Sequence, residues 1–416
     1  MTERLRRVVV TGIGALTPIG CSADGLWSGL RRGMSAVRPV TRFDASGFRS
    51  QMAAEVDDAE VDAAAQLGLR RARRLDRYST FAVLASLQAL EDAALSPHAP
   101  CMQEAGCYIG SALGGTASAE AQHDLYLQRG IQAVEPTLAQ SVFGGAGPSN
   151  VAIELGLHGP CMANSNSCAS GAVAIGEAFR LIRNGDVEVM LAGGVEVPLA
   201  PLTFGAFAVI KAMSTRCDRQ ASRPFDRSRD GFVMGEGAAM LVLESMQHAK
   251  RRGAHIYAEL RGYAMTNDAH HMLAPRPGGH DAARAMLLAM RDAEVSPDQI
   301  EYVNAHASAT PLGDRAEVEA ICAAFGQLAS EVQVSGTKGL HGHPLGASAA
   351  IETAILALSL ERGWLPGTTN LVQPDPGNPL RLIPPGGVCH RVHVAMKNAF
   401  GFGGINAALV LAAPTP

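Results

Sequence analysis

Short apolar runs, broken by Gly and small polar turns, alternate along the whole chain with longer stretches of mixed polarity. That rhythm predicts strands layered with helices, an α/β architecture. Residues 8–12 read as a buried strand ending in a Gly turn, and 187–194 and 237–244 follow the same pattern. The stretch 170–183 carries Val173, Ile175, Phe179 and Ile182 among small residues and predicts a largely buried helix. Strands return at 301–305, 392–397 and 407–411, and a second helical run spans 347–360. Pro-rich 365–385 reads as surface loop, and the charged 247–253 as a seam.

At 416 residues the chain exceeds one ordinary core, so two packed halves are expected, 1–252 and 253–416. Abundant Gly (45) with few aromatics suits a compact enzyme with tight turns and excludes disorder. A net charge of −4 gives no generic attraction to nucleic acid. No signal-peptide core follows Met1, and no apolar run is long enough to cross a bilayer. The eight cysteines lack paired spacing, which favours free thiols in a reducing cytoplasm.

Three polar turns carry candidate chemistry. The first, Asn164-Ser-Asn-Ser-Cys168-Ala-Ser-Gly171, leads straight into the predicted helix. A thiol there meets unpaired N–H groups and the positive end of a helix dipole, an effect of up to ~2 kcal/mol that would lower its pKa. The small Ala169, Ser170 and Gly171 would leave room for a substrate. An inert buried cysteine explains the turn alone equally well. The second turn puts His306 just past an apolar strand, and the third, Ser335-Gly-Thr-Lys338-Gly-Leu-His-Gly-His343, ends in another His ahead of a helix bearing Glu352. His341 suits a structural role. Metal binding is disfavoured, because no further His or carboxylate stands at compact ligand spacing. Near the C-terminus Asn398-Ala-Phe400-Gly-Phe402-Gly-Gly-Ile-Asn406 is either a phosphate loop or a tight turn, and it lacks the Lys-Ser/Thr of a P-loop. Its glycines would also let backbone approach a reacting atom.

Taken in order, these segments, with Val8-Val-Val-Thr-Gly-Ile-Gly14, Ser214-Thr-Arg216 and Arg223-Pro-Phe-Asp-Arg-Ser-Arg-Asp-Gly-Phe232, resemble the β-ketoacyl-acyl carrier protein synthases, type II-like condensing enzymes of fatty acid or type II polyketide synthesis. The resemblance covers nearly the whole chain. It implies a thiolase-like fold of two similar halves in five α/β/α/β/α layers, the first half carrying the nucleophile and the second the two histidines and a Gly-rich gate. It implies Cys168 as the acyl-accepting nucleophile, His306 and His343 as its partners, and Lys338 with Glu352 as a supporting charged pair, with Asp314 behind them. The N–H groups of Cys168 and Phe402 would form an oxyanion hole, Phe402 doubling as gate. Ser308 and Thr310 would hold a phosphopantetheine arm, and Leu113, Phe207 and Phe400 would wall the acyl pocket. No bound cofactor or metal is implied, since the substrates travel on an acyl carrier protein. A homodimer, or a heterodimer with a related subunit, is the implied assembly.

The chain departs from the family pattern at Ala307-Ser308, where Gly-Thr is usual, and at 128–148, which lacks the usual basic stretch. These differences favour a specialised polyketide or secondary-metabolite synthase over the housekeeping fatty-acid enzyme. Arg70, Arg71, Arg73 and Arg74, with Lys211, are candidates for docking an acidic carrier; a solvated helix face is the alternative. A thiolase acting on coenzyme A esters would pair its Cys with a second Cys, and a non-catalytic chain-length factor would lack Cys168. Both rivals are disfavoured.

Overall fold

The computed structural model describes residues 5–97 and 99–414; the N-terminal Met1–Arg4 lies outside them. Ten principal strands form two half-sheets. In the first half these are β1 (Val8–Thr17), β2 (Gly106–Gly110), β3 (Cys161–Asn164), β4 (Val189–Glu196) and β5 (Gly237–Ser245). The second half supplies β6 (Ala258–Asn267), β7 (Tyr302–Asn304), β8 (Gln333–Ser335), β9 (Val394–Gly401) and β10 (Ile405–Ala412).

Strand order exposes a duplication. The first half runs β3-β2-β4-β5-β1 and the second β8-β7-β9-β10-β6, the same order with the same mixture of parallel and antiparallel neighbours. The halves join where β1 and β6 pair antiparallel at Val8↔Leu260, Val9↔Glu259 and Val10↔Ala258.

Five layers follow from where the apolar faces go. Helices α2 (Ser170–Asn184) and α5 (Ser348–Arg362) pack together between the half-sheets, in one core with Ile13, Tyr263 and Leu409. From Ser348 to Leu360, α5 is buried all round, as a helix sandwiched on every side must be. Gly185 and Gly363 end these helices in the left-handed region. Helix α1 (Arg77–Asp92) covers the outer face of the first half-sheet, and α3 (His280–Asp292) with α4 (Pro311–Phe325) covers that of the second.

The predicted strands and both long helices are present with ends shifted by a few residues; β1 continues to Thr17, with all ten residues buried. The reading of 365–385 as surface loop holds over 371–379 and needs correction on either side of it. Leu365 and Thr368 are wholly buried, and Arg381–Leu382 adds an edge strand beside β8.

Candidate active site

Cys168 sits in a 3-10 turn, Ser167–Ala169, that runs directly into α2. Ser167 adopts φ 52°, a left-handed conformation that costs a side-chain-bearing residue energy and here aims the next side chain out of the turn. The Phe402 N–H weakly favours the thiolate of Cys168, and the Ser167 hydroxyl approaches the sulfur at 3.7 Å. Gly401 makes that approach possible, because a Cβ there would lie 3.1 Å from Cys168 N. The turn that brings Phe402 is the hairpin between β9 and β10, with Gly403 and Gly404 both left-handed.

The sequence expectation for the thiol is corrected in two respects. Burial pushes Cys168 above its ordinary pKa, reinforced by the charge of Glu196; the Ser167 hydroxyl, Lys338 and the Phe402 N–H pull only part of the way back. A dipole of one or two kcal/mol does not outweigh full desolvation. Nor do the small neighbours leave room for substrate. Ala169 and Ser170 are wholly buried, and a Cβ on Gly171 would meet Ala350 N at 2.8 Å, so their smallness serves the close packing of α2 on α5.

His306 leaves the end of β7 with its main chain pinned on both sides. Its N–H donates to Glu317 Oε1 at 2.8 Å, and its carbonyl accepts from Lys338 Nζ. His343 emerges from the long turn before α5, and its Nδ1 lies 2.7 Å from Ser348 Oγ. The two imidazole centroids are 5.4 Å apart, nearly perpendicular. Burial drives both rings well below the usual histidine pKa, and the positive charges of Lys338 and Lys397 push the same way. Both are therefore neutral at physiological pH.

Behind the rings lies a charged cluster sealed from solvent. Lys338 Nζ donates to Glu352 Oε1 at 2.7 Å, and Lys397 Nζ forms an ion pair with Glu352 Oε2, also at 2.7 Å. Burial works to raise the Glu352 carboxyl, but the two lysines outweigh it and hold it below its ordinary value. Asp314 accepts the N–H groups of Phe225 (2.7 Å) and Ala309 (3.0 Å), bracing the loop past His306; burial raises it to about 7. His341 is buried against Thr337 Oγ1 at 3.1 Å, in keeping with a structural role.

Cys168, His306 and His343 open together into one cavity of about 400 Å³. Ser308, Thr310, Phe207, Phe400, Phe402 and Lys211 also line it. Ser308 Oγ and Thr310 Oγ1 are 2.9 Å apart, and the Phe207 and Phe402 rings stack at 6.2 Å.

Two other sequence assignments fall elsewhere. Leu113 does not line this cavity; it packs in the apolar cluster around Cys168, its N–H held by Glu196. Arg70, Arg71, Arg73 and Arg74 are exposed but away from the cavity lining, and Arg71 pairs with Glu154 at 3.0 Å. Sequence reasoning missed Lys397, Glu317, Glu196 and Ser348. Lys397 had a visible signal, a lone charge inside the apolar run of β9.

Comparison with known proteins agrees with this architecture. Residues 5–249 match the model of the β-ketoacyl synthase N-terminal domain, and 257–372 match that of the C-terminal domain. The chain is 42% identical to a 3-oxoacyl-[acyl-carrier-protein] synthase 2 of Synechocystis, covering 97% of both proteins. It is 41% identical to that of Coxiella burnetii, covering 98% of both. Among solved structures, a type II polyketide ketosynthase in complex with its acyl carrier protein superposes with TM-score 0.91 at 34% identity, over 99% of this chain and 100% of that one. A β-ketoacyl synthase from Burkholderia phymatum does so with the same score, identity and coverage. No helix among the described residues is long and apolar enough to cross a membrane. The duplicated α/β halves, the shared cavity and these matches together make the chain a member of the β-ketoacyl synthase family, thiolase-fold enzymes that carry out the condensing step of fatty acid or polyketide synthesis.

Proposed function

We propose that Cys168 accepts an acyl group from a carrier-bound thioester and that His306 and His343 drive decarboxylative condensation with a malonyl thioester. The observation that carries this reading is the convergence of one thiol and two neutral imidazoles on a single cavity.

The thiol attacks the acyl carbonyl and its proton passes to the departing carrier thiolate, leaving an S-acyl cysteine. Because burial disfavours a resting thiolate, ionisation is coupled to substrate arrival, and the Phe402 and Cys168 N–H groups stabilise the oxyanion. The malonyl thioester then enters past Ser308 and Thr310. With Ser348 donating to His343 Nδ1, His343 presents Nε2–H to the cavity. His306 presents its own N–H beside it. As the bond to the malonyl carboxylate breaks, CO2 departs and the electron pair moves to the thioester oxygen between these two donors. The enolate carbon attacks the acyl-cysteine carbonyl, and collapse of the tetrahedral adduct expels the sulfur as a thiolate, which takes a proton from water to restore the thiol. Neither a metal nor a redox cofactor takes part.

Replacing Cys168 with Ala is expected to abolish acyl-enzyme formation, read by intact-protein mass spectrometry, and to reduce condensation by at least ~10³-fold. His306→Ala and His343→Ala should acylate but lose malonyl decarboxylation. Parent-rate condensation without Cys168 would overturn the mechanism.

The donor is an acyl carrier protein, the partner named for a structural neighbour, and exposed Lys211 at the cavity mouth is the docking charge. Lys211→Glu should raise KM for carrier-borne but not pantetheine-borne substrates; equal KM values with both would exclude it. We further read the enzyme as a cytoplasmic homodimer with its halves divided at 252/253.

A further inference from the structure

Lys397 has no part in that mechanism, yet it is wholly buried beside it. Its strand, Val394-Ala-Met-Lys-Asn-Ala-Phe400, is otherwise apolar but for Asn398. An ammonium there survives only if its surroundings replace water. They do: Glu352 Oε2 lies at 2.7 Å, the Ala305 carbonyl at 3.1 Å and the Asn304 carbonyl at 3.4 Å. The next carbonyl, that of His306, is held by Lys338, which also binds the other oxygen of Glu352. Three successive carbonyls leading to the imidazole are thus gripped by two ammonium groups bridged through one carboxylate.

Charged and titratable groups reach the rings from several elements. Lys338 and His341 come from the turn after β8, Lys397 from β9, Glu352 from α5 and Glu317 from α4, with Cys168 opposite. Glu317 is engaged by the N–H groups of His306 and Ala307, and burial raises its carboxyl. Lys338 and Lys397 share Glu352, and the positive charge of both pushes the rings away from protonation. Burial lowers Lys397 to about 8, so it is mostly charged at neutrality.

We propose that Lys397 is a positioning residue for the condensation: its ammonium ties Glu352 to the carbonyls ahead of His306 and adds the second positive charge that keeps His306 and His343 uncharged when a malonyl carboxylate enters. The inference rests on the reading of both rings as neutral donors. An incoming carboxylate in a dry cavity favours imidazolium. An imidazolium would hold that carboxylate as an ion pair and oppose its loss as CO2. Removing one nearby cation lets the rings take up a proton at higher pH.

The test follows malonyl-thioester decarboxylation from about pH 5.5 to 8.5 in the full-length protein and in Lys397→Gln and Lys397→Met, each rate divided by Cys168 acylation of the same preparation. Gln can still donate to the carbonyls and Glu352, so it isolates charge from geometry and guards against a misfolded Met variant. In both variants the acid limb should move up by about one pH unit, so that the ratio falls by up to ~10-fold at the acid end of the range and recovers toward neutrality. A limb coincident with the parent's, a loss equal at every pH, or a parent profile restored by Gln would each overturn the inference. If His306→Ala and His343→Ala decarboxylate normally, the donor reading itself has failed. If they do not, and the lysine variants keep the parent limb, only the role of Lys397 falls.

Discussion

The turn after β3 and the turn after β8 occupy the same place in the two halves, each leading into a central helix, yet they are built for different tasks. The first, 165–169, is five residues long and delivers one sulfur. The second, 336–347, has twelve residues and carries Lys338, His341 and His343. The strands beside them diverge in polarity as well. At the end of β4, Glu196 gathers N–H groups; in β9, the equivalent strand, Lys397 gathers carbonyls. Duplication supplied one scaffold twice, and the chemistry comes from making its copies unequal. The first copy presents a buried thiol to the cavity, and the second presents two neutral imidazoles backed by two lysines.

The largest expected effect tests the second copy. Glu352→Gln leaves two buried ammonium groups with no shared counter-charge and should cost about 3–5 kcal/mol, read from the urea midpoint. Lys338→Met should cost less, because Glu352 keeps Lys397. The Glu352→Gln deficit should shrink as pH rises toward about 8. Burial already holds Lys397 at about 8 with Glu352 beside it, and losing that carboxylate lowers it further, so the variant's native state sheds the proton at a lower pH than the parent's and gains stability with pH first. A Glu352→Gln protein as stable as Lys338→Met would mean the cluster is not held by that carboxylate.

Sequence captured the first copy's geometry better than its electrostatics. Cys168, His306 and His343 stand out in the sequence because His306 follows an apolar strand, because Cys168 and His343 lie on turns of small residues ahead of predicted helices, and because those turns match a family pattern. The thiol's raised pKa was not legible, since it depends on α5 and the β9–β10 hairpin closing over a turn more than 170 residues earlier in the chain. Glu317 reads locally as one polar position on an amphipathic helix, and only the fold turns it toward the His306 and Ala307 N–H groups. The Arg70–Arg74 run is exposed, as its charge implies, and stands off the cavity lining. Charge density marks an exposed surface but says nothing of where the cavity opens. Gly171 was read as space for substrate because a local reading cannot see the helix that fills it.

A smaller effect separates burial from hydrogen bonding in the first copy. Glu196 accepts from Ser111 Oγ (3.0 Å), Ala112 N (2.6 Å), Leu113 N (3.1 Å) and Gly346 N (2.9 Å), so one carboxylate ties the β2 turn to the His343 turn of the other half. Glu196→Gln puts an amide NH2 where two of those donors point and should cost about 1–3 kcal/mol. Burial raises Glu196 to about 7 despite these donors, so between roughly pH 5 and 7 the native state holds a proton that the unfolded chain has lost. Stability from this group is then greatest at low pH and falls as pH rises through 7, and the advantage of the parent over Glu196→Gln should narrow over that window. Asp314, also near 7, is present in both proteins and cancels from the difference. An advantage that instead grows with pH would mean the four donors hold Glu196 ionised, and that the first copy, like the second, keeps a permanent charge beside the side chain it presents to the cavity.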